Sequence, residues 1–261
     1  MITKNELDKL VKKYENADFI KKDPIQFIYK GNSREDKEIF GFISSAFAFG
    51  NRKAFINTLN KIFCCCDNDL CNYVKNGDFK NLKGSYYRIY KDFDIIGLFK
   101  ILHYIYTNEG GLEKLFEAHF REDRGDKYDH YLSEVVDIMY KYAPKDVSSG
   151  FYHMIPNPKK GSAMKKMNMF LRWMVRKSTV DIGIWKFMKP KDLYIPLDVH
   201  VARQSRGMGL LTRKSNDYIA AKELTKRLRE FCPDDPVKYD FAMFAFGVEL
   251  NNNKTEVLKY E

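Results

Sequence analysis

Apolar residues recur along this chain with a helical period almost from end to end. Leu7, Leu10, Val11 and Tyr14 share one face, which predicts a helix over residues 3–22. Asp23-Pro24 predicts the start of a second: an aspartate can take the free N–H groups of a first turn, and proline's fixed φ suits its first position. The next segment, SREDKEIFGFISSAFAFGN, has Ser33 or Asp36 to cap it, is almost wholly apolar over 39–49, and is closed by Gly50-Asn51. A helix apolar all round belongs in the middle of a core. Its tip, Phe49-Gly50-Asn51-Arg52-Lys53, is small, polar and basic. It reads either as a glycine C-cap leading into the next helix or as an element that meets a phosphate or enters a duplex.

Further helices are predicted over 54–63, 94–108, 111–120, 130–143, 218–231 and 237–248. Gly110-Gly111, Pro144, Ser148-Ser149-Gly150 and Pro233-Asp234-Asp235-Pro236 mark turns, and the charged run 121–129 reads as a solvated loop. Residues 82–92 are aromatic and basic, suited to stacking or to phosphate but equally to tyrosines packed at a helix junction. The tail 251–261 is expected to fray. Strand-like alternation is scarce, so the expected fold is all-α, a single unit of two interleaved helical lobes.

Composition adds a partner to this picture. With 261 residues and 44% hydrophobic content the chain can bury a sizeable core, and its formal charge of +10 favours an anionic partner. No apolar run reaches the roughly 18 residues of a membrane span, and the N-terminus does not read as a signal peptide. A bacterial or archaeal cytoplasm is therefore expected. The five cysteines, Cys64, Cys65, Cys66, Cys71 and Cys232, are odd in number and three are adjacent, which points to reduced thiols. Cys64, Cys66 and Cys71 lack the second ligand pair that a zinc site would need, so no metal is expected.

The chemistry concentrates in residues 151–203. Pro156 and Pro158 stiffen an extended approach, Lys159-Lys160-Gly161 makes a basic turn, and Ser162 is a natural N-cap for a helix over 163–177. On that helix Met164, Met167, Leu171, Met174 and Val175 form the apolar face, with Lys165, Arg172 and Arg176 opposite. A helix N-terminus can hold a phosphate, and Lys159 and Lys160 would add salt-dependent attraction. Lysines in a first turn oppose the helix dipole, and the same potential disfavours the ammonium form that must be lost before an amine attacks carbon. Further on, Asp198 follows Ile195-Pro196-Leu197 and opens a segment Val199-His200-Val201-Ala202-Arg203. Helix capping is its ordinary role, and a capping aspartate that also faces a cleft can support a developing cation or take a proton.

Gly161-Ser162-Ala163-Met164-Lys165 followed by Leu197-Asp198-Val199-His200-Val201-Ala202-Arg203 resembles the helix-hairpin-helix DNA glycosylase superfamily, which includes endonuclease III and 8-oxoguanine glycosylases. That family carries a G-x-G-x-K hairpin and a V-D-T-H-x-x-R-like segment. The resemblance matches Gly161 to the first glycine, Lys165 to the lysine that attacks deoxyribose C1′, and Asp198 to the aspartate that assists. His200 and Arg203 take the histidine and arginine that follow. Ala163 stands where the second glycine would be. Lysine to aspartate spans 33 positions, longer than in endonuclease III and closer to the archaeal 8-oxoguanine glycosylase branch, an alignment that selects Lys166 instead. Gly161 and Asn168 favour the Lys165 register. SSAFAFGNRK and DPVKYDFAMFAFGVE, with IPLDVHVAR, further look like a bacterial branch related to these glycosylases. Only Cys232 lies where endonuclease III has its four-cysteine loop, so no iron–sulfur cluster or other cofactor is expected.

The resemblance implies a monomeric, nucleoid-associated enzyme that flips a damaged base, 8-oxoguanine-like for instance, out of double-stranded DNA. Lys165, or Lys166, would be the nucleophile and Schiff-base lysine, with Asp198 in support. Lys159, Lys160, Gly161, Ser162, Ala163, His200 and Arg203 would hold DNA, and Asn51 or Arg52 would fill the gap. Two rivals are a helix-hairpin-helix module that binds DNA without chemistry and an RNA or interaction protein using the basic surface alone.

Overall fold

The computed structural model describes residues 2–66, 69–121, 130–240, 242–244 and 247, and they form an all-α fold. The helices are α1 (Lys4–Tyr14), α2 (Ala17–Ile20), α3 (Arg34–Phe47), α4 (Arg52–Cys64), α5 (Leu70–Asn76) and α6 (Asp92–Asn108). They continue with α7 (Leu112–His119), α8 (His130–Lys141), α9 (Ser149–Met154), α10 (Lys165–Val175), α11 (Val199–Gly207) and α12 (Tyr218–Phe231). No helix of the described residues is long and apolar enough to cross a membrane.

α3 is the central helix that its apolar run predicted. Ser33 accepts from Asp36 N at 2.9 Å and Asp36 returns a bond to Ser33 N at 3.1 Å, so both residues cap it. From Glu38 to Phe47 every residue is buried. Gly41 lets α10 and the Pro24–Lys30 turn approach: a Cβ there would meet Met174 Cε at 2.9 Å and Ile28 Cδ1 at 3.2 Å. Glu38 goes into the core with two donors, Trp185 Nε1 at 2.9 Å and Tyr106 Oη at 2.8 Å. One large hydrophobic cluster gathers Phe42, Phe99, Phe170 and Trp173 around α3, α6 and α10. A second joins Leu7 of α1 to Val201 and Ala202 of α11, Leu224 and Leu228 of α12, and Tyr239. Ala163, just before α10, belongs to the second cluster, while α10 itself packs in the first.

The helix expected over 3–22 is broken, because Asn16 caps a new turn by accepting from Asp18 N at 3.0 Å. Asp23 caps a 3-10 turn, Pro24–Lys30, in place of an α-helix. α3 stops at Phe47, short of the glycine, and Gly50 with φ +81° lets the chain turn into α4. α5 and α9 carry no readable apolar stripe and were not expected. The turn expected at Ser148-Ser149-Gly150 is the cap and first residues of α9. The helix expected over 237–248 begins as a 3-10 turn, Pro236–Lys238, and continues through 239, 240, 242–244 and 247. Its other residues, the loop residues 122–129 and the tail 251–261 lie outside the described residues.

α9 is tied to α6 through a buried carboxylate. Asp94 is fully buried and accepts from Ser148 N at 2.6 Å, Ser148 Oγ at 2.7 Å and Lys91 N at 3.1 Å. Asp94→Ala is therefore expected to cost about 2 kcal/mol, the scale of hydrogen bonds to a charged acceptor. Urea unfolding measures it, and a loss under about 0.5 kcal/mol would show these bonds to be idle.

Candidate functional site

The hairpin forms where the sequence places it, with different capping. Pro158–Lys160 makes a 3-10 turn, Asn157 accepts from Lys159 N at 2.9 Å, and Gly161 takes the left-handed conformation at φ +78°. Ser162 does not cap α10. It accepts from Met164 N at 3.1 Å, and Met164, with φ +54°, is the residue that turns the chain into the helix. α10 thus starts at Lys165, two residues later than expected, with no side chain capping its first turn, and ends at Val175. Lys159 pairs with Asp137 at 2.9 Å, and the Lys160 ammonium lies over the ring of Tyr152 at 5.4 Å.

Asp198 accepts from His200 N at 2.8 Å and Val201 N at 2.9 Å, so it is the N-cap of α11. It also faces a cavity of about 770 Å³. The same cavity is lined by Lys165 and Lys166 from the first turn of α10, Arg52 from α4, His153 from α9 and Asp240. Ser162 and His200 reach it as well, whereas Asn51, Lys159, Lys160, Gly161, Ala163 and Arg203 do not line it. Asn51 caps α4 by accepting from Ala54 N at 3.0 Å, and the Arg52 guanidinium lies over Phe244 at 4.9 Å.

The two lysines differ sharply. Lys165 is half-buried and its Nζ donates to the carbonyl of Ala48 at 3.2 Å. Lys166 is 8% exposed, and its Nζ donates to Tyr90 Oη and to the carbonyl of His153, both at 2.6 Å. Burial, with the Lys165 charge beside it, holds the Lys166 ammonium well below its ordinary range. Desolvation therefore does the work that the sequence assigned to the helix dipole. His153, against the ring of Phe49 at 4.4 Å, is pushed down to about 4 by burial and by Lys166.

The polar face expected of α10 is the largest departure. Arg172 and Arg176 do not face solvent or DNA; both are buried in ion pairs. Arg172 holds Asp181 at 3.2 Å and also Asp240, and Arg176 holds Asp181 at 2.9 Å, Asp235 at 2.8 Å and also Glu15. Two guanidiniums thus serve four carboxylates, and the surplus negative charge must be relieved by protonation or by neighbouring cations. Asp240 shows the result: burial pushes its carboxyl up to about 7 against the pull of Arg172, with Asp198 pushing the same way. The carboxyl of Asp23, which also lines the cavity, is raised by burial too. Asp240 thus has both a basic partner and a place on the cavity wall. Asp23 was read only as a cap and Tyr90 only within the aromatic stretch 82–92, and His153 was not singled out, since nothing local marks any of them as part of a site.

Residues 23–249 match the family described as "Protein of unknown function (DUF2400)". Neither the curated proteins nor the solved structures contain a match to the chain.

Proposed function

The chain belongs to the DUF2400 family, and we propose that it is a DNA repair glycosylase that excises a damaged base through an amine in this cavity. One observation carries the reading. Lys165 and Lys166, in the first turn of α10, and the capping Asp198 of the next segment, distant in sequence, line a single cavity. Its volume is within the range of small-molecule sites and has room for a nucleoside turned out of the stack. The charge of +10 suits a DNA backbone.

The nucleophile is Lys166 in this proposal, although the hairpin register favoured Lys165. An amine attacks only with its lone pair free, and Lys166 is the lysine whose burial disfavours the ammonium. Its lone pair forms the bond to C1′ as the pair of the C1′–N bond leaves with the base. Asp198 stands beside the sugar to offset the positive charge that develops. Lys165 and Arg52 provide cations at the cavity for the flanking phosphates, and the hairpin lysines extend that attraction outward. Ring opening gives a Schiff base, from which β-elimination would cut the strand. An oxidised purine is the proposed class of target, and a cytoplasmic, nucleoid-associated monomer is the setting that this reading implies.

Borohydride trapping on abasic and 8-oxoguanine duplexes tests it, with Lys165→Ala, Lys166→Ala and Asp198→Asn. The wild type is expected to form a covalent complex that Lys166→Ala abolishes and Asp198→Asn slows by about a hundredfold or more. No trapped complex on any lesion would sink the lyase mechanism. Duplex binding with neither trapping nor base release would favour the non-catalytic helix-hairpin-helix module.

A further inference from the structure

The excision chemistry above leaves two ionisable residues without a role, and both close around its amine. Tyr90, fully buried, follows the short turn Tyr87-Arg88-Ile89 that leads into α6, and His153 comes from α9. Tyr90 Oη lies 2.8 Å from His153 Nδ1 and 2.6 Å from Lys166 Nζ, and Nζ lies 3.2 Å from Nδ1. Amine, phenol and imidazole therefore form a closed triangle, and the Lys166 and His153 corners line the cavity.

Hydrogen-bond accounting assigns the protons. The phenol has one proton and two acceptors in reach, His153 Nδ1 at 2.8 Å and the Ala46 carbonyl at 3.4 Å; given to the nearer, it leaves the imidazole proton on Nε2. Tyr90 Oη then accepts from Lys166. A neutral amine has two N–H bonds, and Tyr90 Oη and the His153 carbonyl take both. Its lone pair is the position left for a substrate. The charged groups acting on the triangle are Lys165 from α10 and Arg88 from the turn, with the Tyr87 phenol also near Tyr90. Both charges are cations, so among the described residues no carboxylate stabilises an extra proton there. Burial keeps the phenol protonated and the imidazole neutral.

We propose that Tyr90 and His153 form a proton relay for Lys166 as it condenses with a sugar aldehyde, an inference that rests on the amine chemistry above. On an abasic site the Nζ lone pair bonds to C1′ while the carbonyl π pair moves to oxygen, giving an ammonium alkoxide. One ammonium proton passes to Nδ1, directly or through Tyr90 Oη, which takes it as its own proton moves to Nδ1. The imidazolium gives a proton to the alkoxide, forming a neutral carbinolamine. A solvent proton then joins the hydroxyl, water leaves with the C–O pair, and the nitrogen lone pair closes C=N. The sum is amine, aldehyde and one proton giving iminium and water. The relay lends its proton and recovers it.

Tyr90→Phe removes one oxygen and keeps the ring against Phe47, 5.4 Å away, so it separates the relay from packing. Single-turnover borohydride trapping on an abasic duplex, from pH 5 to 9, is compared for wild type, Tyr90→Phe and His153→Asn, with duplex affinity measured alongside. Both variants are expected to slow imine formation about tenfold or more and to change the pH profile, with affinity unchanged. Reaction of the DNA-free protein with acetaldehyde and borohydride, read by peptide mass, should show the same loss at Lys166. Wild-type rates and profile in both variants overturn the relay, as does trapping that depends on Lys165 in place of Lys166; either result leaves excision standing. Absence of trapping in the wild type overturns the excision chemistry itself, and the relay with it.

Discussion

Arg176→Ala is expected to lower the unfolding free energy by about 3–5 kcal/mol, a large share of the 5–15 kcal/mol of a typical domain. Arg176 is 6% exposed and holds Glu15, Asp181 and Asp235, from three separated stretches of chain. Deleting it leaves Asp181 with Arg172, but Glu15, 9% exposed, and Asp235, 26% exposed, lose their guanidinium. The cost is that of stranded buried charge, which exceeds the net worth of the pairs themselves. The freed carboxylates can escape it by protonation, so the deficit against wild type should be largest at neutral pH and shrink as pH falls toward about 4. Urea unfolding at pH 7.5 and 4.5 measures both effects. A deficit under about 1 kcal/mol at pH 7.5, or one that grows in acid, would mean that water reaches this cluster.

Lys166→Met should separate stability from chemistry. Methionine fills similar length without a charge to desolvate, so the variant should keep the fold, stabilise it at neutral pH, and yield no trapped complex. The wild type carries a pH signature that the variant lacks. The Lys166 ammonium is held below its ordinary value of 10.5 in the folded protein. Between the lowered value and 10.5 the unfolded chain therefore binds the extra proton, and stability rises with pH across that window. Its slope approaches about 1.4 kcal/mol per pH unit where this group alone differs. The difference in unfolding free energy between wild type and Lys166→Met should thus narrow as pH climbs toward 10.5. A difference that stays flat between pH 7 and 10 would show the amine to be charged in the fold, and would remove the reason for preferring it to Lys165.

What the sequence revealed and what it hid follow from the range of the forces involved. α3 and α12 were legible because the apolar period and the caps are local: Ser33 with Asp36, and Tyr218 through Phe231 with the expected bounds. Asp198 was legible as a cap for the same reason. The arginines of α10 were misread because helical spacing says only that they share a face. What that face meets, Glu15 near one end of the chain and Asp235 and Asp240 near the other, is decided by the tertiary fold. Ser162 was misread through a competing local bond: its hydroxyl serves Met164 N within the turn, and Met164 accepts a left-handed φ to begin the helix. Tyr90 could be noticed only as one of the tyrosines of 82–92, and His153 not at all. Tyr90, His153 and Lys166 come from three elements, and only their meeting around one nitrogen gives them meaning.

α1 has a consequence for how the chain is made. Its Leu7 packs with α11, α12 and Tyr239, Ile2 N donates to Met208 O at 3.2 Å, and Lys238 pairs with Asp8 at 2.7 Å. α1 thus finds its distant partners in order of synthesis, first Arg176, then α11 and α12, and last Lys238 and Tyr239, with the chain growing at roughly 5–20 residues per second. For that interval, tens of seconds at the slower rate, its apolar face has only the local cover of Phe19, and Glu15 waits for the arginine that will neutralise it. Docking of α1 onto α12 and the Lys238–Tyr239 turn is accordingly a late event in folding, and until then α1 is where a holding chaperone would be most useful.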